Sequence, residues 1–450
     1  MKQFWLIISI AFTAIGCSKQ LDDIRPRNAI LQEQLKDEDI LKLRNGVYAQ
    51  AEIGVFGFAF DFDLRADHFR GGPGFSLVDP VNMIPSDAGV LSMWRNAYNR
   101  IANVNFLLEA LDKSASQTGD IQRYRGEALY FRALMYYHLV TRWGGVPVLT
   151  KTTFDIVQRS TETEVWKQIT DDLLASELLL PDFSNKFFVS KQAAQALLAR
   201  VYLSVNGKTN AVVYADKVLT YGASSSNFTL TSDANGFASN FIANTTSKEV
   251  IFAFVNSNTN NRKLYYQSVN DVDPTWNYSP DLNLFTNLYA DGATPVRTGD
   301  KRRTAVFAAG ANTRIIKFPN GKAGQQLVTT SNADATPVAV TRYSEMHLIK
   351  AEALGVGAAA ATALASYFTA RYTTAPLAGT IASLTATEFQ NLILDERQRE
   401  FYGESYRWYD IKRTNRLDLL PSLAGRNYLL YYPIPQVERD LTGYTQNDGY

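Results

Sequence analysis

Between residues 395 and 413 the chain reads DERQREFYGESYRWYDIKR, where five basic and five acidic side chains alternate with five aromatics. Interleaved cations and aromatics can grip a polynucleotide, but that requires a net positive field, because affinity comes largely from counterion release. Here the charges cancel within the segment. The whole chain is also near neutral, with 45 basic against 44 acidic residues, so nucleic-acid binding is not expected. Helical spacing accounts for the pattern instead. Leu394, Phe401, Trp408 and Ile411 fall on one stripe of a 3.6-residue period, and Tyr402, Tyr406 and Tyr409 widen it. Asp395 with Arg399, and Glu404 with Arg407, are spaced to pair along its flanks. Gly403 costs such a helix roughly 1 kcal/mol relative to alanine. The spacing predicts one long, packed helix over 386–414.

The same period recurs at 37–52, 92–111, 120–143, 161–180, 190–205, 210–221, 341–355 and 358–372. Ser190, Asp120 and Thr385 stand where N-caps belong, with Glu388 completing a capping box after Thr385. Short turns at 205–210 and 354–357 join neighbouring helices. The alanine-rich runs QAAQALLARVY and MHLIKAEALG place small residues where two helices must approach closely. Paired antiparallel helices of this kind resemble tetratricopeptide repeats, although long insertions interrupt any fixed period. The expected fold is therefore mainly α, a helical-hairpin scaffold over 37–222 and 341–450. Glycine- and proline-rich 53–91 and polar 222–340 are read as loop-rich insertions, with brief strand-like runs at EVIFAFV and TRIIKF. Long irregular loops on a rigid scaffold are where recognition concentrates.

The first residues bear on location. Met1 and Lys2 precede an apolar run from Phe4 to Ile15, followed by Gly16 and Cys17. As helix the run spans about 18 Å, too short for a bilayer core of about 30 Å, and the pattern is that of a secretory signal. A cysteine after a small residue resembles a bacterial lipobox, with Ala14 where leucine is usual. Cys17 is the only cysteine in the chain, which suits a single lipid modification better than a disulfide or a metal site. The expected organisation is a signal peptide at 1–16, a lipid-anchored tether at 17–36 and a single domain over 37–450, with 222–340 as its variable ligand region. Ser18 and the following KQLDD resemble lipoproteins sent to the outer membrane.

With these residues in view, the 395–413 stretch resembles the C-terminal signature of the SusD/RagB family of outer-membrane nutrient-binding lipoproteins. Glu396, Arg397, Glu400, Phe401, Glu404, Arg407, Trp408, Asp410, Ile411 and Arg413 match it, while Ser405 stands where glycine is usual. RGEALYFRALMYYHLVTRWGGVPVLT at 125–150 and YYPIPQVERDLTGYTQNDGY at 431–450 resemble two further family blocks, with Asp448 in place of a proline. The resemblance implies a tetratricopeptide-like scaffold presenting a loop-rich ligand face. It also implies a surface lipoprotein that lids a SusC-like TonB-dependent transporter, with glycans as the usual cargo and peptides or other nutrients as the alternative. In such a fold Arg132, Glu400, Arg407 and Asp410 become buried ion-pair partners rather than catalysts, since charges in packed helices must be paired.

Sugar binding uses aromatic faces against apolar sugar faces, with amides, carboxylates and guanidinium groups on the hydroxyls. The densest such cluster in a loop is 265–283. There Trp276, Tyr278, Tyr265 and Tyr266 offer stacking, and Asn270, Asp271, Asp273 and Asn277 offer polar contacts. Trp276 could equally plug the loop onto the scaffold. A second cluster, FAFDFDLRADHFR at 58–70, offers Asp61, Asp63, Arg65, Asp67 and His68, though strand-like alternation explains part of it. An EF-hand beginning at Asp61 is excluded by Arg65 and Ala66. The three histidines lack metal-ligand spacing. No phosphate loop, dinucleotide fingerprint or hydrolase motif is present, so no cofactor and no catalytic residue are expected. A glycosidase, which needs only two placed carboxylates, is the enzymatic alternative.

Overall fold

The computed structural model describes residues 37–72, 79, 81–114, 119–242, 247–256, 278–292, 294–309, 314–318 and 336–450. The signal peptide expected at 1–16, Cys17 and the tether expected at 17–36 lie outside the described residues. The fold is mainly helical. Helices α1 (Asp37–Phe56), α2 (Asp61–Arg65), α3 (Ala88–Lys113), α4 (Gly119–Trp143), α5 (Glu162–Leu179), α6 (Lys191–Ser204) and α7 (Lys208–Ser225) come first. Short helices α8 (Ala234–Ser239), α9 (Leu282–Asn287) and α10 (Arg303–Val306) lie in the insertion. Then follow α11 (Tyr343–Leu354), α12 (Ala358–Arg371), α13 (Ala378–Ala382), α14 (Ala386–Glu400), α15 (Arg407–Thr414) and α16 (Gln436–Thr442).

Packing follows chain order. Helices α3, α4, α5, α6 and α7 each lie against the next, α1 covers α3 and α4, and α7 continues onto α11 and then α12. The insertion is looped out, so the helical array runs on as if 226–342 were absent. Ala193, Ala194, Ala196 and Ala199 of α6 are wholly buried, as close helix approach requires. Local chemistry sets several starts. The Ser190 hydroxyl accepts from Ala193 N, and Thr385 and Glu388 form a reciprocal capping box at α14, each cap contributing about 1 kcal/mol. Asp120 does not cap α4. It lies within that helix's first turn, because the helix already begins at Gly119.

Strands β1 (Phe69–Gly71), β2 (Val250–Phe254), β3 (Tyr278–Pro280), β4 (Thr298–Asp300), β5 (Val338–Arg342) and β6 (Tyr372–Thr374) pair as β1–β3, β2–β5 and β4–β6, all antiparallel. EVIFAFV thus supplies β2, whereas the TRIIKF run contributes an isolated bridge from Ile315 to Phe307.

The helix expected over 386–414 is two helices. Helix α14 stops at Glu400, and the turn before α15 holds Gly403 at φ 78° and Ser405 at φ 61°, left-handed conformations that no α-helix interior contains. The Asp63 carboxylate accepts from the backbone N–H of Gly403 at 3.1 Å and of Ser405 at 2.7 Å. This contact fixes the break from far away in sequence. The apolar stripe survives it, since Leu394, Phe401, Trp408 and Ile411 are all buried. The flank pair Asp395–Arg399 forms at 2.9 Å, but Glu404–Arg407 does not. Because the turn redirects it, Glu404 instead meets Arg342 at 2.8 Å and Lys317 at 2.6 Å. Arg407 donates to the Leu394 carbonyl and makes no ion pair among the described residues. Arg132 pairs with Asp172 at 2.7 Å, and Asp410 with Arg397 and Arg413.

Around Glu400 the charges form a closed network. Its carboxylate accepts from Arg342 at 2.7 Å, Arg371 at 2.8 Å and Arg302 at 3.1 Å. Glu396 joins Arg302 and Arg297, and Glu249 joins Arg371. Burial would push the Glu400 carboxyl up, but Arg371, Arg342 and Arg302 override it and hold it well below the usual range. The network ties α12 and α14 to β5 and to the strand-poor insertion around 300.

Candidate ligand-binding face

Phe60, at φ 60°, turns the chain after α1 so that α2 begins beside the 401–406 turn. Four of the polar residues singled out at 58–70 point into protein. The Asp61 carboxylate accepts from Arg142 Nε at 2.7 Å and the Tyr432 hydroxyl at 2.6 Å. Asp63 is wholly buried and, besides capping the turn, meets His68 Nδ1 at 2.8 Å. Arg65 lies between the Trp408 and Tyr432 rings, 4.3 Å and 4.4 Å from their centroids, and donates to the Leu429 carbonyl at 2.7 Å. His68 stacks on Tyr402 and reaches Gln398 Nε2 through its own Nε2 at 3.1 Å. Desolvation lowers its pKa despite the neighbouring Asp63. The neutral ring then donates from Nδ1 to Asp63 and accepts from Gln398.

The fifth, Asp67, is exposed at φ 56°, and its carboxylate accepts from the Ser422 hydroxyl at 3.1 Å. Immediately after it the chain becomes β1, which pairs with β3 in the register Phe69↔Pro280, Arg70↔Ser279 and Gly71↔Tyr278. This ladder joins the two clusters that the sequence kept two hundred residues apart. Tyr278 is half-buried, its ring stacked on Phe69 with centroids 6.0 Å apart and planes at 14°. Arg70 is exposed and bridges the strands from Nε to the Pro280 carbonyl at 3.2 Å. Asp281 caps α9 by accepting from Asn283 and Leu284 N–H groups. Tyr265, Tyr266, Asn270, Asp271, Asp273, Trp276 and Asn277 lie outside the described residues.

Sequence reasoning missed the segment that meets Asp67 through Ser422. Arg426 pairs with Asp79 at 2.7 Å, and part-exposed Tyr428 packs edge-on against Tyr450. Arg426 and Tyr428 lie among three single-turn 3-10 helices within 417–430, too short for any local period to mark them. Their only signal is proximity in the fold. Together the face presents tyrosine rings, carboxylates, a hydroxyl and guanidinium groups, the inventory that stacks on and hydrogen-bonds a polyol. Among the described residues no group of three His, Cys, Asp or Glu side chains could hold a metal ion.

Two family models match the chain. One, described as starch-binding associating with outer membrane, spans residues 25–203, and the other, the SusD family, spans 226–420. SusD-like protein P2 of Formosa agariphila is 27% identical, with all of both chains covered. A SusD superfamily structure from Bacteroides thetaiotaomicron superposes with a TM-score of 0.75 at 22% identity, covering 92% of this chain and all of that one. A laminarin-binding SusD-like protein gives a TM-score of 0.71 at 21% identity, covering 90% and 99%. With both models in chain order and the same helical array in the solved structures, this chain belongs to the SusD/RagB family.

Proposed function

We propose that this protein is a cell-surface lipoprotein that captures oligosaccharide on the face built around the β1–β3 ladder. It then passes the glycan, without turnover, to a SusC-like TonB-dependent transporter of the outer membrane. The observation that carries the reading is the ladder itself, which seats Tyr278 and its strand, next in sequence after residues 265–277, directly on Phe69 and Arg70. Family membership and the laminarin-binding relative support glycan as the cargo. No helix among the described residues is long and apolar enough to cross a membrane. Attachment through a lipid on Cys17 fits that arrangement. Trp276, Tyr265 and Tyr266 would supply further stacking, and Asn270, Asp271, Asp273 and Asn277 polar contacts, with affinity in the millimolar to micromolar range, about −4 to −8 kcal/mol.

The test is calorimetric titration of residues 18–450 with a panel of oligosaccharides, repeated on Trp276→Ala. Binding lost in the variant, with circular dichroism unchanged, supports the assignment. Silence across the panel, or release of reducing sugar from a bound glycan, overturns it.

A further inference from the structure

Behind the ligand face lies a cavity of about 80 Å³ between the 58–60 turn, the start of β5 and the 403–406 turn. A few water molecules or one small ring would fill it. Its walls are chiefly aromatic and aliphatic: Phe58, Phe60, Phe241 and Phe318 with Val338 and Val340. Phe318 meets Phe60 at 5.9 Å and Phe241 at 5.5 Å between centroids, both edge-on.

Every charged group on this wall is already matched. Arg142 is held by Asp61 at 2.7 Å and lies over Phe58 and Phe62. Arg200 is held by Glu345 at 2.6 Å, and Glu404 by Arg342 and Lys317. His138 and Tyr137, adjacent on α4, are different. Both line the cavity, and neither side chain has a hydrogen bond among the described residues. His138 is braced flat against Phe58, with centroids 4.6 Å apart and planes at 12°. Burial and the nearby Arg142 and Arg200 lower its pKa well below the ordinary value, so the ring stays neutral and keeps one donor and one acceptor. Two wall residues, Phe60 and Ser405, are non-glycine residues at positive φ, and backbone strain of this kind concentrates at ligand clamps.

We infer that this cavity is a second binding site, for a neutral, ring-sized aromatic molecule whose single hydroxyl meets His138 and Tyr137. The wall excludes an oligosaccharide, because a row of hydroxyls would be buried there without partners. It also excludes an anion or cation, because no charge on the wall is left to answer one. Phe60 packs on Phe69 at 5.5 Å, so the site lies directly beneath the β1–β3 ladder yet has its own lining.

The experiment uses p-cresol and toluene as probes on the mature chain, followed by imidazole resonances of protein labelled on histidine. There are three histidines, and a His138→Gln variant assigns the relevant signal. The site predicts that p-cresol shifts the His138 resonances and leaves His347 in place. It should bind about tenfold more tightly than toluene, the margin of one hydrogen bond made in an apolar cavity. Tyr137→Phe with His138→Leu should erase that margin while toluene binding persists. Ala59→Leu, at a half-buried wall position, should weaken both probes at least fivefold. Absence of any His138 shift at saturating p-cresol overturns the proposal, as does p-cresol binding that Ala59→Leu leaves unchanged. Oligosaccharide titration of the Ala59→Leu variant separates this site from the glycan face, which should bind as before.

Discussion

Residues 58–70 and 395–413 are written in the same alphabet, acidic and basic side chains set among aromatics, and the fold uses them in different ways. The C-terminal stretch turns nearly all its charges inward, onto partners brought from β4, β5, α11 and α12 and onto Arg302 and Lys317. The N-terminal stretch splits. Asp61, Asp63, Arg65 and His68 face inward, and two of their contacts are the very turn and tryptophan of the C-terminal stretch. Asp67 and Arg70 face outward beside the ladder. Alternation of charge with aromatics therefore reports only that a segment is half apolar. Which half carries function depends on what the tertiary fold sets against it.

The largest effect expected is at Glu400. Its replacement by alanine leaves Arg342, Arg371 and Arg302 buried around an empty position, and removing one partner of a buried charge set costs about 3–5 kcal/mol. Urea unfolding should show that loss or an insoluble product. A change below about 1 kcal/mol would mean that water or rearrangement compensates the network. The matching acid effect has a definite sign. Glu400 titrates well below an ordinary carboxyl in the folded state, so its contribution is complete above the unfolded value of about 4.3 and fades as pH falls below it. The melting temperature should drop on acidification below about pH 4.5, and more shallowly in Glu400→Gln.

Asp63 and Asp67 sharpen the contrast within one segment. Asp63→Ala strips acceptors from the buried Gly403 N–H and the part-buried Ser405 N–H and should cost about 2–4 kcal/mol, at 1–3 for each unsatisfied group. Asp67→Ala removes an exposed carboxylate and should change stability by no more than about 0.5 kcal/mol. If the face binds glycan as proposed, Asp67→Ala or Arg70→Ala weakens binding severalfold with the fold intact. Equal stability losses at 63 and 67 would erase the distinction between the two sides of the segment.

Much of the scaffold was legible because helical period, caps and short turns are local. The starts at Ser190 and Thr385 and the close packing of α6 needed nothing from afar, whereas the pairing of Arg132 and of Asp410 was implied by the family resemblance, and Arg132 found its partner, Asp172, on another helix. The break in 386–414 was not legible, although Gly403 hinted at it, because Asp63 lies more than three hundred residues away. Arg407 illustrates the same limit. Its spacing suggested Glu404, and the turn sent Glu404 to Arg342 and Lys317 instead. At the ligand face the composition of both clusters was readable. Their meeting was not, since the β1–β3 pairing is a long-range register. Ser422, Arg426 and Tyr428 came from among single-turn helices too short to carry a periodic signal.

The smallest effect tests whether Ser405 is strained or settled. At φ 61° a serine costs about 1–2 kcal/mol relative to a right-handed conformation, and glycine would remove that cost. Against this, the Ser405 hydroxyl approaches the Phe58 carbonyl and the Asp63 carboxylate, each at 3.3 Å, and glycine would lose both while gaining freedom in the unfolded chain. These long contacts contribute toward the low end of about 0.5–1.5 kcal/mol each. The terms nearly cancel, so Ser405→Gly should shift stability by less than about 1 kcal/mol, whereas Ser405→Val, which keeps the strain and removes the hydroxyl, should destabilise by more. A loss above about 1.5 kcal/mol in the glycine variant would show that the hydroxyl, rather than the backbone cap from Asp63, holds the turn. The fastening between the two segments would then run through side chains on both sides.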